Sequence, residues 1–326
     1  MRTLRIEHQS WPLAGAFTIS RGSRTTAEVV VAEIVDGDHV GRAECMPYAR
    51  YDETVEGVIA EIERFGDAVA DGLDRAALQD ALPAGAARNA LDCSLWDLEA
   101  KRTGMPVWQL AGLPEPGPLV TAYTLSLDVP EKMAKAAREN AHRPLMKLKL
   151  TGEGDIARVA AVRAAAPDTR LIVDANEGWS AEMVEPFGSE LVPLGVEMIE
   201  QPLPAAEDSV LSDCAHPVPI CADESCHTCA DLDALDGRYE MINIKLDKTG
   251  GLTEALALRD AARDRGMKIM VGCMIATSLA MAPAVLLAQG AEVVDLDGPL
   301  LLAKDQPHGL VYEGSTLHPP EAALWG

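Results

Sequence analysis

An α/β barrel preceded by a smaller α+β domain is the fold class this 326-residue chain predicts, and three features predict it. Strand-like apolar runs near Val120, Leu145, Leu171, Val196, Ile220, Ile242, Ile269 and Val293 follow one another about 25 residues apart, with helical stretches between them. Polar residues close nearly every one of these runs. The first third of the chain lacks that rhythm and reads as short strands followed by helices.

In that first third, residues 4–7, 28–36 and 39–44 read as strands, with Gly37-Asp38 as the hairpin turn between the last two. Residues 54–70, 75–80 and 84–102 carry apolar side chains at three-and-four spacing, and Gly104 is placed to end the last of these helices. The segment from Gly112 to Pro118 is dense in turn formers and sets a boundary, with an α+β domain over 1–115 and a barrel over 116–304. Beyond it, helices expected at 130–141, 155–165, 252–265 and 278–289 alternate with the strands, which calls for a parallel sheet with right-handed crossovers. An open doubly wound sheet shows the same alternation. Here, however, no G-x-G-x-x-G turn follows the first strand, and polar strand ends recur all the way round, as a closed barrel requires.

Composition narrows the function classes. With 51 acidic against 28 basic residues the chain carries a net charge of −23, which repels phosphate backbones and anionic bilayers and leaves a small-molecule substrate as the expected partner. The longest apolar stretch, around Leu279 to Ala288, is too short to span a bilayer, and the first residues lack a signal-peptide core, so a soluble cytoplasmic protein is expected. Seven irregularly spaced cysteines read as buried free thiols. A homo-oligomer is compatible with the sequence, because an apolar helix face looks the same whether it meets a neighbouring helix or a second copy.

The chemistry is carried by strand ends. Asp174, Glu200 and Asp223 close three successive runs, Lys147 and Lys149 close the run before them, and Lys245 the run after. Alternation puts Lys147 with Lys149, Asp174 with Asn176, and Asp295 with Asp297 on shared faces, and a barrel gathers such groups at one mouth. A single strand-end Asp or Lys more often caps a helix or meets solvent. Three acids in sequence between lysines shift the reading to a site, in which hard carboxylate oxygens suit Mg²⁺ or Mn²⁺ better than zinc. Cys214, His216, Cys221, Cys226, His227 and Cys229 form a competing, zinc-like set. Its spacing is irregular, and the strand parity of Cys221 turns its sulfur inward beside Asp223, away from Cys226 and Cys229.

Taken in order, the segments Ile19–Arg24, Glu44–Tyr51, Pro83–Asp92, Lys147-Leu148-Lys149, Asp174–Glu177, Glu200–Pro204, Ala222–Ser225, Lys245–Gly251 and Asp295–Gly298 resemble the muconate-lactonizing subgroup of the enolase superfamily. Within it they are similar to the L-Ala-D/L-Glu dipeptide epimerases. The resemblance spans nearly the whole chain. It implies a modified (β/α)7β TIM-like barrel with an N-terminal α+β capping domain completed by the tail 305–326. It also implies Mg²⁺ held by Asp174, Glu200 and Asp223, with Lys147 assisting at the substrate carboxylate.

Lys149 and Lys245 are then the paired bases, reaching opposite faces of the α-carbon from opposite sides of the barrel, with amine pKa values expected to be lowered by the ion and the clustered ammonium groups. Asp295 and Asp297 form an anionic spot suited to the free ammonium of a dipeptide. Arg24, in the capping loop, suits the side-chain carboxylate of a C-terminal glutamate, whereas Arg21 reads as a turn or surface residue. Tyr48 and Tyr51 are expected to exclude water. The function expected from the resemblance is interconversion of L-Ala-D-Glu and L-Ala-L-Glu in murein peptide recycling. An N-acyl amino-acid racemase, an o-succinylbenzoate synthase or a cycloisomerase could use the same cage, but the Asp295–Asp297 pair argues against substrates without an ammonium. A catalytically silent binder of acidic peptides is the non-enzymatic alternative.

Overall fold

The computed structural model describes residues 1–326. The chain opens with a three-stranded antiparallel sheet, Thr3–Ile19, Gly22–Asp36 and His39–Cys45. Gly37 and Asp38 make the turn between the last two strands, where Asp36 faces His39. The first strand runs far past the expected residues 4–7. Its outer half pairs with the start of the second strand through an irregularity between Pro12 and Phe17, and this projects a long hairpin with Ser20 and Arg21 at its tip. That half is exposed or half-buried and therefore shows no core-facing alternation to read.

The helix expected over 54–70 is two helices, Val55–Glu63 and Gly66–Ala70, the first capped by Thr54, whose side chain accepts from Gly57 N. Arg75–Ala81 follows, and Ala86–Thr103 ends at Gly104 as expected. A core of 15 buried residues, among them Val30, Ile34, Ile62, Leu78, Leu91 and Leu98, joins these helices to the sheet. The contact between the third strand and the long helix depends on Gly41, since a Cβ there would lie 2.2 Å from Ser94 O and 2.5 Å from Leu98 Cβ.

Eight parallel strands follow in chain order around one sheet: Tyr123–Leu125, Leu145–Lys149, Arg170–Asp174, Val196–Glu200, Ile220–Ala222, Met241–Ile244, Lys268–Val271 and Val293–Val294. The ring closes where Ala122 N donates to Val294 O at 2.8 Å. The run near Val120 is not the first barrel strand. Leu119–Val120 pairs antiparallel with Thr316–Leu317 in a separate small sheet, and the barrel strand begins three residues later at Tyr123. No helix is long and apolar enough to cross a membrane.

Inside the ring, Ala122, Leu145, Ile172, Met198, Cys221, Met241, Met270 and Val293 form an apolar floor, one residue from each strand or its leading edge. Because side chains alternate, the residues two places further on point the same way. They are Thr124, Lys147, Asp174, Glu200, Asp223, Asn243, Gly272 and Asp295, a buried polar tier on the apolar floor. Cys221 is thus inward as expected, one tier below the polar groups. The alternation that fills the barrel also assembles its chemistry.

Gly41→Ala should destabilise the chain by about 1–3 kcal/mol, because the methyl group has no space between strand and helix. Denaturant unfolding checks this, and an unchanged midpoint would show that the strand does not rest on the helix at this point.

Candidate active site

The polar tier is a lattice of alternating charges. Lys147 Nζ lies 2.6 Å from Glu200 Oε2, 2.8 Å from Asp295 Oδ2 and 3.2 Å from Asp174 Oδ2. Lys149 reaches Asp174 Oδ2 at 2.5 Å, and Lys245 reaches Asp223 Oδ2 at 2.6 Å. Lys149 ends the second barrel strand and Lys245 follows the sixth, so in a ring of eight they stand on opposite sides, with the three acids on the arc between them. Asp174 and Glu200 are direct register partners on the third and fourth strands.

The electrostatics follow from burial and from neighbouring charges. Burial disfavours ionised Asp174, but Lys149 and Lys147 outweigh it and hold its pKa down to about 2. Asp223 is likewise held well below the carboxylate range, as Lys245 and Lys248 overcome burial. Burial and the neighbouring Asp174 push Glu200 up to about 7. For Lys245, burial favours the neutral amine, yet Asp223 and Glu200 prevail and raise its pKa above the usual lysine range. Carboxylates rather than ammonium groups are the charges nearest to Lys245.

The donor set fits a hard cation. Asp174, Glu200 and Asp223 offer carboxylate oxygens alone, and buried Glu200 Oε2 and Asp223 Oδ1 accept no aligned hydrogen bond, although lysines touch both. The three acids do not themselves converge at ligating distance, since ammonium groups stand between them. Nor do the cysteines and histidines of the zinc-like set converge: His216 pairs with Glu240 and His227 packs edge-on against Tyr51.

Several buried contributors escaped the sequence reading. Lys248 donates to the carbonyls of Asp223, Cys226 and Asn243 and lies 2.8 Å from Asp223 Oδ1. Asn243 donates to Glu200 Oε1 at 2.8 Å, in space kept open by Gly272, where a Cβ would fall 2.7 Å from Asn243 Oδ1. The parity of Asn243 with Lys245 was the available signal for the amide. Lys248 carried none, because its turn could equally have faced solvent.

Above the lattice lies a cavity of about 380 Å³, walled by Lys147, Lys149, Asp223, Lys245, Asp295 and Asp297 below, and by the hairpin and the 46–50 segment above. Arg21, at the hairpin tip, is fully engaged, with Nη2 on Glu224 Oε1 and Tyr48 Oη and Nη1 on Glu177 Oε2 and Asn176 O. Arg50 grips Glu177 with two nitrogens at 2.7 Å. Arg24 makes no hydrogen bond or ion pair. It lies over the Tyr48 ring at 5.1 Å and faces the cavity. Tyr48 lines the cavity, whereas Tyr51 packs edge-on behind it, between Tyr48 and His227, and is not on the wall. The two eighth-strand acids differ. Asp295 is committed to Lys147, while Asp297 accepts Thr124 N at 2.6 Å and pairs with no cation, its pKa pushed up to about 7 by burial and by Asp295.

Comparison with known proteins agrees with this architecture. Residues 131–323 match the family model described as enolase C-terminal domain-like, and residues 1–112 that of the mandelate racemase/muconate lactonizing enzyme N-terminal domain. The chain is 48% identical to the L-Ala-D/L-Glu epimerase of Escherichia coli K12, covering 98% of this chain and 100% of that protein. It is 47% identical to an N-acetyl-D-glutamate racemase of Pseudoalteromonas, covering 91% and 95%. Among solved structures, an enolase family member from Agrobacterium tumefaciens with homology to dipeptide epimerases, holding sodium and L-Ala-L-Glu, superposes with a TM-score of 0.98 at 55% identity over 100% of both chains. A dipeptide epimerase from Enterococcus faecalis, complexed with Mg and L-Leu-L-Tyr, superposes at 0.91 with 30% identity over 98% of this chain and 97% of that one. A capped eight-stranded barrel, two matching family models and near full-length identity lead to one assignment: the chain belongs to the mandelate racemase/muconate lactonizing enzyme family of the enolase superfamily.

Proposed function

We propose that the protein is a dipeptide epimerase that interconverts L-Ala-D-Glu and L-Ala-L-Glu by moving a proton at the glutamyl α-carbon. The observation that carries this reading is the placement of Lys149 and Lys245 on opposite sides of one ring, each beside the carboxylates and each lining the same cavity. One lysine, as the neutral amine, takes the α-proton. The other, as the ammonium, gives a proton to the opposite face, so one C–H bond breaks, another forms at the same carbon, and the configuration inverts without net oxidation. Asp174, Glu200 and Asp223 are the residues that would hold Mg²⁺, with Mn²⁺ a chemically similar occupant. A divalent cation bound there would supply the positive field that makes a proton beside a carboxylate removable by an amine, as in other enolase-superfamily sites.

The remaining roles follow from what each side chain has left to offer. Lys147, held by three acids, presents fixed positive charge beside the substrate carboxylate. Arg24 is the one cavity arginine without a carboxylate partner, which suits it to the side chain of a C-terminal glutamate. Asp297, uncompensated, suits the peptide's ammonium, and Asp295 contributes mainly by orienting Lys147. Tyr48 forms the platform under Arg24 and anchors Arg21, with Tyr51 supporting its ring. The relative that racemises N-acetyl-D-glutamate favours a second reading in which the amino group is acylated. Asp297 weighs against it, since a neutral acyl group leaves that acid unpaired. A place in cytoplasmic murein peptide recycling rests on the family resemblance.

In deuterated solvent the α-proton of Ala-Glu should exchange as epimerisation proceeds, and Lys149→Ala and Lys245→Ala should each lower inversion more than about 100-fold. NMR reports both, and near wild-type inversion in either variant would end the two-base assignment. Arg24→Ala should raise KM for Ala-Glu by roughly 10- to 100-fold while leaving dipeptides with apolar C-terminal residues nearly unchanged. Equal losses on both substrates would remove Arg24 from the specificity pocket.

A further inference from the structure

The turn that follows Lys245 carries a buried carboxylate with no part in the reaction as drawn. Asp247, two residues beyond Lys245, is 6% exposed, and its Oδ1 accepts Asn89 Nδ2 at 2.8 Å and the backbone N of Met46 at 3.0 Å. Both donors belong to the N-terminal domain. Asn89 lies on the helix Ala86–Thr103, and Met46 begins the segment that carries Tyr48 and Arg50 over the cavity. One oxygen thus binds the helix and the cavity-covering segment to the turn that begins at Lys245.

A second acid anchors the same segment elsewhere. Glu53 accepts Tyr48 N at 2.9 Å and Ala86 N at 2.8 Å, so it ties the segment to the start of the helix, within one domain. Of these two ties only Asp247 crosses to the barrel, and it does so beside a proposed base. The turn has further holds: Lys245 O accepts Lys248 N and Thr249 N, both at 3.0 Å, Lys248 Nζ donates to the carbonyls of Asp223, Cys226 and Asn243, and at the far end Arg88 donates to Thr249 O and Gly250 O, so Asp247 is the tie to the covering domain nearest Lys245. Lys149, on the far side of the ring, has no equivalent strut, since the loop after it is braced by Asp155 within the barrel, through Thr151 N, Gly152 N and Trp179 Nε1.

We propose that Asp247 is a positioning residue that sets the register of Lys245 against the Met46–Arg50 segment, so that the two proton-transfer faces depend unequally on the covering domain. The inference rests on the reading of Lys149 and Lys245 as opposed bases. It requires an acceptor at this place rather than a negative charge, because both contacts are hydrogen bonds from neutral donors. A misplacement of about an ångström at a reacting group costs up to roughly 100-fold in rate, so loss of the strut should be visible on one face only.

The test follows solvent-deuterium exchange at the glutamyl α-carbon separately from each epimer, by NMR, with circular dichroism as the check on folding. Lys245→Ala and Lys149→Ala first identify which epimer each lysine deprotonates, and a wild type that exchanges neither epimer rejects the epimerase reading independently of Asp247. Asp247→Ala should slow exchange from the Lys245 epimer roughly 10- to 100-fold while exchange from the Lys149 epimer stays within about threefold. Asp247→Asn, which keeps the acceptor, should restore most of the loss. Asn89→Ala removes one donor without touching the turn, should show the same one-sided loss at smaller size, and decides the matter if Asp247→Ala does not fold. Equal loss from both epimers in Asn89→Ala or Asp247→Ala, or an Asp247→Asn variant as slow as Asp247→Ala, would overturn the proposal.

Discussion

Everything at the barrel mouth depends on charge compensation among buried groups. Asp174, Glu200, Asp223 and Asp295 are almost completely buried, and burying ionised acids together is costly unless cations accompany them. Lys147, Lys149, Lys245 and Lys248 provide them, each in contact with at least one carboxylate. The same pairing explains why the pKa values split. Asp174 and Asp223 are held ionised by the lysines beside them, while burial and then Asp174 push Glu200 up to about 7 although Lys147 touches it. On the proposed reading, a cation held by Asp174, Glu200 and Asp223 would compete with Lys245 for Asp223.

The covering domain acts on this lattice through a few named contacts rather than by broad burial. Arg21 and Arg50 fasten the hairpin and the 46–50 segment to Glu177 and Glu224, consuming their own charge in doing so. That leaves Arg24 as the positive group still open to a ligand, with Asp297 as its uncompensated negative counterpart across the cavity. A dipeptide with an ammonium at one end and a side-chain carboxylate at the other matches this residual pattern. On the proposed reading, selectivity would rest on which charges the protein has not already paired.

Much of this was legible in the sequence because strand parity is a strict geometric rule. Once the seven runs from Leu145 onward were recognised, the inward positions of Lys147, Asp174, Glu200, Asp223 and Asp295 followed, and the structure places all of them in one tier. What was not legible depended on distant partners. Leu119–Val120 is as apolar as a barrel strand, and only its pairing with Thr316–Leu317 assigns it elsewhere. The first strand looked short because its outer half faces solvent. Asp295 and Asp297 looked equivalent because parity puts them on one face, and only the reach of Lys147 past the first barrel strand separates them. Lys248 was indistinguishable from a surface lysine until three carbonyls were seen around it.

The proposed chemistry requires a cation among Asp174, Glu200 and Asp223, and metal removal tests that requirement most directly. The measurement is solvent-deuterium exchange at the α-carbon of Ala-Glu by protein stripped with a chelator, then resupplied with Mg²⁺, with circular dichroism recorded at each stage. The account predicts that exchange stops on stripping while the fold persists, and returns with Mg²⁺. Exchange at the full rate in the stripped, folded protein would contradict it.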